Sequence, residues 1–373
     1  MLQFKTNLNK TMKNNTIKLS LLAFCFVIFS CQKTEDAMPT VQVPASYNFE
    51  NVNFSGQTQR LNMLTELSNY IKTANTAGVK LDILKLKNMF SNTGAAFSKN
   101  YEASKQLKDK CFEPDRVLIE QYFGELVKAS QATAAGSNGK AGVVVSKDGT
   151  KKYLFDEKGF EYAQLIEKTL MGAVCYYQAT SVYLSDDKIG NQIDNAKVIA
   201  GEGTAMEHHW DEAFGYFGVP LDFPTNLNGI RFFGKYANDR NAKIACNDPI
   251  MKEGFLKGRA AISAKNMKQK EEAVVVIRTQ WERVLVSTAL YYLAGAKRDF
   301  ADDALRNHQL SEGIAFIKSL KYNSSKKITN EQINSLVSKL GNNLYEITTA
   351  QIDAVRNELS SIYGMDNLKD ILL

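Results

Sequence analysis

TAMEHHWDEAFGYFGVP, residues 204–220, decides the fold: it reads as a short helix with both ends specified, and it holds two of the three histidines in 373 residues. Thr204 can cap the N-terminus, and Glu207, three residues on, can reach back to close a capping box. Gly218 and then Pro220 supply the stop. Between them Met206, Trp210, Ala213, Phe214 and Phe217 repeat at helical spacing and form one apolar stripe that has to be buried against other helices. His208 and Glu212 point away from that stripe. His209 and Tyr216, seven apart, fall at its edge, where a half-buried side chain can still meet a ligand.

The rest of the chain repeats the helical pattern. Apolar spacing predicts helices over 57–74, 81–90, 116–135, from Phe160 to Tyr177, and over 251–267, 271–293, 299–320, 331–340 and 350–363, besides the one at residues 204–220. Thr329 and Gln332 repeat the capping-box pattern. Between 136 and 156 the period changes to that of strands: Val143 to Val145 and Tyr153 to Phe155 flank an Asp148-Gly149 turn, the signature of a hairpin. Residues 220–249 hold three of the six prolines with many Asn and Asp, and read as a long connection. The expectation is an all-α fold of two packed helical bundles, their boundary near 186–250, with a small β-hairpin insertion. There is no Rossmann fingerprint, phosphate loop or CxxC pair.

Residues 1–30 have to be set aside before fold reasoning. Lys13 and Lys18 precede an apolar run from Leu21 to Phe29, too short to span a bilayer and ending at Ser30-Cys31. A small residue followed by cysteine there resembles a lipobox, so Cys31 is the expected acylated N-terminus of the mature chain. Gln32 to Asp36 then resembles the export tag of Bacteroidota surface lipoproteins, or serves as a plain polar tether. Residues 31–56 read as a tether and extended docking segment, and 57–373 as the all-α body. The leader carries four lysines and no acid, so the net charge of +6 becomes +2 on maturation, and a nucleic-acid partner loses its footing. Cys111, Cys175 and Cys246 allow at most one internal disulfide.

One hundred positions after residues 204–220 the layout recurs: His308 with Glu312 mirrors His208 with Glu212, and Leu310, Ile314 and Ile317 mirror Trp210, Phe214 and Phe217. The third histidine falls on this match, which suggests a pseudo-repeat of two bundles; shared amphipathic spacing alone is the rival explanation. VPASYNFENVNFSGQTQRL, LIEKTLMGAVCYY, EHHWDEAFGYFGVP, FLKGRAAI and SEGIAFIKSL together resemble a Bacteroidota lipoprotein family grouped with the imelysin-like proteins. That resemblance implies two helical bundles, a role in iron uptake, and a GxHxxE motif at the metal site. On this chain HxxE falls on His209 and Glu212, and the glycine position is Glu207.

Imidazole and carboxylate three or four apart on a helix bring two donors to neighbouring turns, which suits a divalent ion such as iron or zinc. His209, Glu212 and His208 are the expected metal residues, with Glu207, Asp211, Tyr216, Glu282, His308 and Glu312 as candidates for a ligand cleft. The zincin HExxH is absent and no nucleophile with a paired base is legible. The expected function is a lipid-anchored, non-enzymatic binding protein of the outer membrane, on its periplasmic or its outer face, that serves iron or haem acquisition with an outer-membrane uptake receptor as partner. The alternatives are a metallopeptidase of the imelysin grouping and a structural or partner-binding surface module.

Overall fold

The computed structural model describes residues 41–372, so the leader and Cys31 lie outside the described residues. The chain runs from 41 to 54 without regular structure and then enters α1 (Ser55–Lys72), α2 (Ile83–Ser91), α3 (Leu107–Lys110) and α4 (Arg116–Ser130). An antiparallel hairpin follows, β1 (Gly142–Val145) and β2 (Lys152–Phe155), with Gly142 opposite Phe155 and Val145 opposite Lys152. After it come α5 (Tyr162–Leu170), α6 (Asp186–Ile189), α7 (Ala205–Gly215), α8 (Phe232–Ile244) and α9 (Lys257–Ser263). The chain finishes with α10 (Met267–Arg298), α11 (Asp303–Ser319), α12 (Asn330–Lys339) and α13 (Thr349–Tyr363). The fold is all-α with one small hairpin, as the periodicities require.

The centre is α10. Its 32 residues make a rod about 48 Å long, and the run from Val284 to Leu290 is buried on every side. Packed on it are α8, α9, α11 and α13, while α5 packs between α11 and α4. The described residues fall in one compact unit, so the helices expected on either side of residues 186–250 pack as parts of one body. The thirteen α-helices among the described residues exceed the stretches expected by α3, α6 and α8, while Met171–Tyr176, Gln178–Tyr183 and Pro249–Leu256 are π-helical and shorten α5 and α9 within their expected spans.

The long connection expected over 220–249 contains α8. Its Asn and Asp residues look like loop, but Phe233, Ala237 and Ile244 are buried at helical spacing, and Lys235 pairs with Asp239 one turn on at 2.6 Å. Tertiary burial overrides composition here. The extended segment docks as expected: Tyr47 is buried, its ring stacked on Phe214 at 3.8 Å. Cys111, Cys175 and Cys246 are buried free thiols, so none of the allowed disulfides forms. Among the described residues no helix is long and apolar enough to cross a membrane.

Candidate functional site

Helix α7 starts as its sequence demands. Thr204 accepts from the Glu207 N–H and Glu207 accepts from the Thr204 N–H, closing the capping box. Trp210 is buried, donates to the Phe255 carbonyl at 3.0 Å, and lies so close over α9 that a Cβ on Gly258 would sit 2.0 Å from its ring. This packing holds His209 and Glu212 half-buried on the opposite side. His209 Nδ1 lies 3.2 Å from Glu212 Oε2, and His208 Nε2 lies 4.0 Å from the same oxygen. Gln57 of α1 donates to Glu212 Oε1 at 2.9 Å. Burial raises the Glu212 pKa, but His209, Gln57, His208 and Tyr183 outweigh it and the carboxyl is held below the usual range.

The expected donors on α7 therefore meet, but as a hydrogen-bonded pair. Among the described residues no three His, Cys, Asp or Glu side chains converge as a metal-holding group, and two donors fall short of the four a tetrahedral ion takes. Glu207 and Asp211 face elsewhere. Arg259 donates from Nη1 to Glu207 Oε1 at 2.7 Å and from Nε to Asp211 Oδ1 at 3.0 Å; Tyr47 donates to that same Asp211 oxygen at 2.7 Å. These four buried groups fasten the extended segment to α7 and α9. Burial pushes the Asp211 carboxyl up to about 6 against the pull of Arg259 and Tyr47, and its Oδ2 has no partner. Tyr216, expected at the edge of the stripe, is fully inside the core. Glu282 accepts from Asn323, the Lys327 N–H and Tyr363, and so joins α10 to the chain after α11.

The echo pair, His308 and Glu312, lies elsewhere: on α11, in the wall of a cleft of about 620 Å³ between α5, α8, α10, α11 and the hairpin. A second cavity of about 440 Å³ shares its Lys72, Lys168, Tyr236 and Tyr292. Lys168 is 4% exposed, with Nζ 3.2 Å from Glu167 Oε1 and 3.1 Å from Glu312 Oε1. Lys72 reaches Glu167 from α1. His308 Nδ1 bonds Glu161 Oε2 at 2.6 Å, its Nε2 lies 3.5 Å from Glu312 Oε2, and its ring stacks on Tyr153 at 4.0 Å. The two carboxylates bracket the imidazole from opposite nitrogens, an arrangement that stabilises the imidazolium and leaves no shared point for a metal. Tyr236 and Tyr292 share a hydrogen bond of 3.3 Å beside Lys168.

Burial lowers the His308 pKa, yet Glu161 and Glu312 override it and raise it above the ordinary value. A base whose pKa is raised on folding adds stability that is complete below its unfolded pKa and disappears as pH climbs through the folded value. The unfolding midpoint in urea is therefore expected to fall as pH rises from about 6.5, and the fall to be smaller in His308→Gln. Equal pH slopes in the two proteins would contradict this reading.

Sequence reasoning singled out His308 and Glu312 but missed Lys168, Glu161, Glu167 and Gln164. The one available signal was a Glu-Lys pair in a helix whose every other position from Ala163 to Leu170 is also buried.

Residues 44–366 match the family described as a domain of unknown function, DUF4856. No curated protein and no solved structure matches the chain.

Proposed function

We propose, for a chain that belongs to the DUF4856 family, a non-enzymatic binding protein of the cell envelope whose ligand sits in the cleft around Lys168, His308 and Glu312. The observation that carries this reading is a cleft of about 620 Å³, within the range of small-molecule sites, walled by buried charged side chains from two helices. Buried titratable groups with shifted pKa values cluster at functional sites, and Lys168 and His308 are two such groups at this cleft. The envelope address rests on the sequence around Cys31; palmitate labelling that Cys31→Ser abolishes tests it, and labelling that persists refutes it.

Kinship with the imelysin-like proteins belongs to this proposal, and it favours iron or haem as the cargo, handed to an outer-membrane receptor. On this chain such a cargo would rest on His209 and Glu212, two donors that do not fit a tightly held ion without others from outside the described residues. The cleft is the better-supported site.

A thermal-shift screen of the mature chain against sugars, amino acids, organic acids, nucleosides, zinc, ferric iron and haemin separates the two. The expected result is a ligand that raises the midpoint by about 2 °C or more, with the shift lost in Lys235→Trp, which fills the cleft rim, and kept in the His209→Ala, Glu212→Ala double variant. The opposite pattern would move the site to α7.

A further inference from the structure

The second cavity is lined by four cations, Lys72, Lys168, Arg231 and Lys235, against two carboxylates, Glu167 and Asp239. Both carboxylates are taken: Asp239 by Lys235 at 2.6 Å, and Glu167 by Lys72 and by Lys168, which also holds Glu312. Arg231 is the cation left over. Its Nη1 donates to the Asn62 side-chain oxygen at 2.5 Å, and its guanidinium forms no ion pair among the described residues. Burial lowers its pKa, and the groups that pull the other way, the Cys175 thiol and the Tyr101 phenol, are themselves raised by burial and uncharged near neutral pH. A half-buried charge without a counterion is costly to keep.

Its position adds to that cost. Arg231 stands at the N-cap of α8, where the helix dipole disfavours a cation, and it gives the first turn no side-chain cap. Phe232, which follows it and lines the same cavity, holds φ at +48°, a left-handed conformation that bulky residues avoid. An anion against this wall would supply the missing counterion. The cavity adjoins the cleft through Lys168, Lys235, Tyr236 and Tyr292. The hydroxyls of Tyr236 and Tyr292, 3.3 Å apart, use one proton between them, and the other is donated to no side chain among the described residues. In the cleft itself six Lys and Arg face four Asp and Glu, with Lys151 and Arg240 in no ion pair. The surplus charge is therefore positive in both spaces, and it attracts an anion and repels a cation.

We infer that the cleft binds a small organic anion whose carboxylate or phosphate group reaches the Arg231 guanidinium, with a Tyr236 or Tyr292 hydroxyl as a further donor. This rests on the cleft being the binding site and adds the class of ligand and its anchor. The experiment is calorimetric titration of the mature protein at low salt with succinate, citrate, inorganic phosphate and glucose 6-phosphate, and with succinamide and glucose as uncharged counterparts, repeated on Arg231→Gln, Arg231→Lys and Lys235→Trp. The two carboxylates against the two phosphates tell which oxyanion is taken. The expected result is that an anion binds, that its Kd rises at least tenfold in Arg231→Gln and less in Arg231→Lys, and that neither neutral compound binds. Should the glutamine variant not fold, a Kd left unchanged by Arg231→Lys overturns Arg231 as the anchor. Neutral compounds that bind as well as the anions, with binding lost in Lys235→Trp, overturn the anion inference and leave the cleft as the site. No response to any of the four anions also overturns it. Anion binding that survives both Arg231→Gln and Lys235→Trp places the site elsewhere and overturns the cleft reading as well.

Discussion

Lys168→Met is expected to destabilise the protein by about 3–5 kcal/mol, read from urea unfolding at neutral pH. The lysine lies inside α5 with its ammonium between Glu167 and Glu312. Burial alone lowers its pKa, but the two carboxylates raise it well above the ordinary value, so it is charged throughout the accessible pH range. Methionine keeps the volume and removes the charge. Glu312 then keeps only His308, and Glu167 keeps Lys72, so two buried carboxylates lose a partner in one substitution. Breaking a buried pair from one side is costly because the orphaned charge stays buried. Neutralising both ends together, in Lys168→Met with Glu312→Leu, is expected to recover part of the loss. A double variant less stable than the sum of the single changes would contradict this account of the wall.

Arg259→Met is the second large effect, also about 3–5 kcal/mol. Arg259 is 1% exposed and serves Glu207 and Asp211 at once, and Asp211 is fully buried. Its loss leaves the capping glutamate of α7 and the Tyr47 anchor beside an unmatched carboxylate. The deficit should shrink in acid, because Asp211, already pushed up to about 6, takes a proton more readily once the guanidinium is gone. Residues 41–54 should also exchange their amide hydrogens faster, since Tyr47 bonds the same Asp211 oxygen that Arg259 holds. A penalty that is the same at pH 5 and pH 8, with unchanged exchange in that segment, would show that Arg259 only fills space.

Elements whose signals are local could be read from the sequence. Thr204 and Glu207 close the box their spacing announces, Thr329 and Gln332 do the same, and the hairpin pairs around its Asp-Gly turn. Helix α8 could not be read, because its polar residues carry loop composition and only the tertiary burial of Phe233 and Ala237 makes it a helix. The α7 pair was legible for the same reason as its cap: His209 and Glu212 are three residues apart on one helix. The cleft was not. Glu161 and His308 stand 147 positions apart and meet only because α5 packs on α11, a contact that no periodicity encodes. The recurrence of a histidine and a glutamate four apart found one side of that wall, and its other side came from the fold.

Hydrogen–deuterium exchange of the mature protein, with and without the compound that raises its melting temperature most, tests most directly where the ligand goes. The cleft account predicts slowed exchange in α5, the hairpin, the C-terminal half of α10 and the first turns of α11, with α7 unchanged. Slowing centred on α7 and α1, around His209, Glu212 and Gln57, with the cleft walls unaffected, would contradict it.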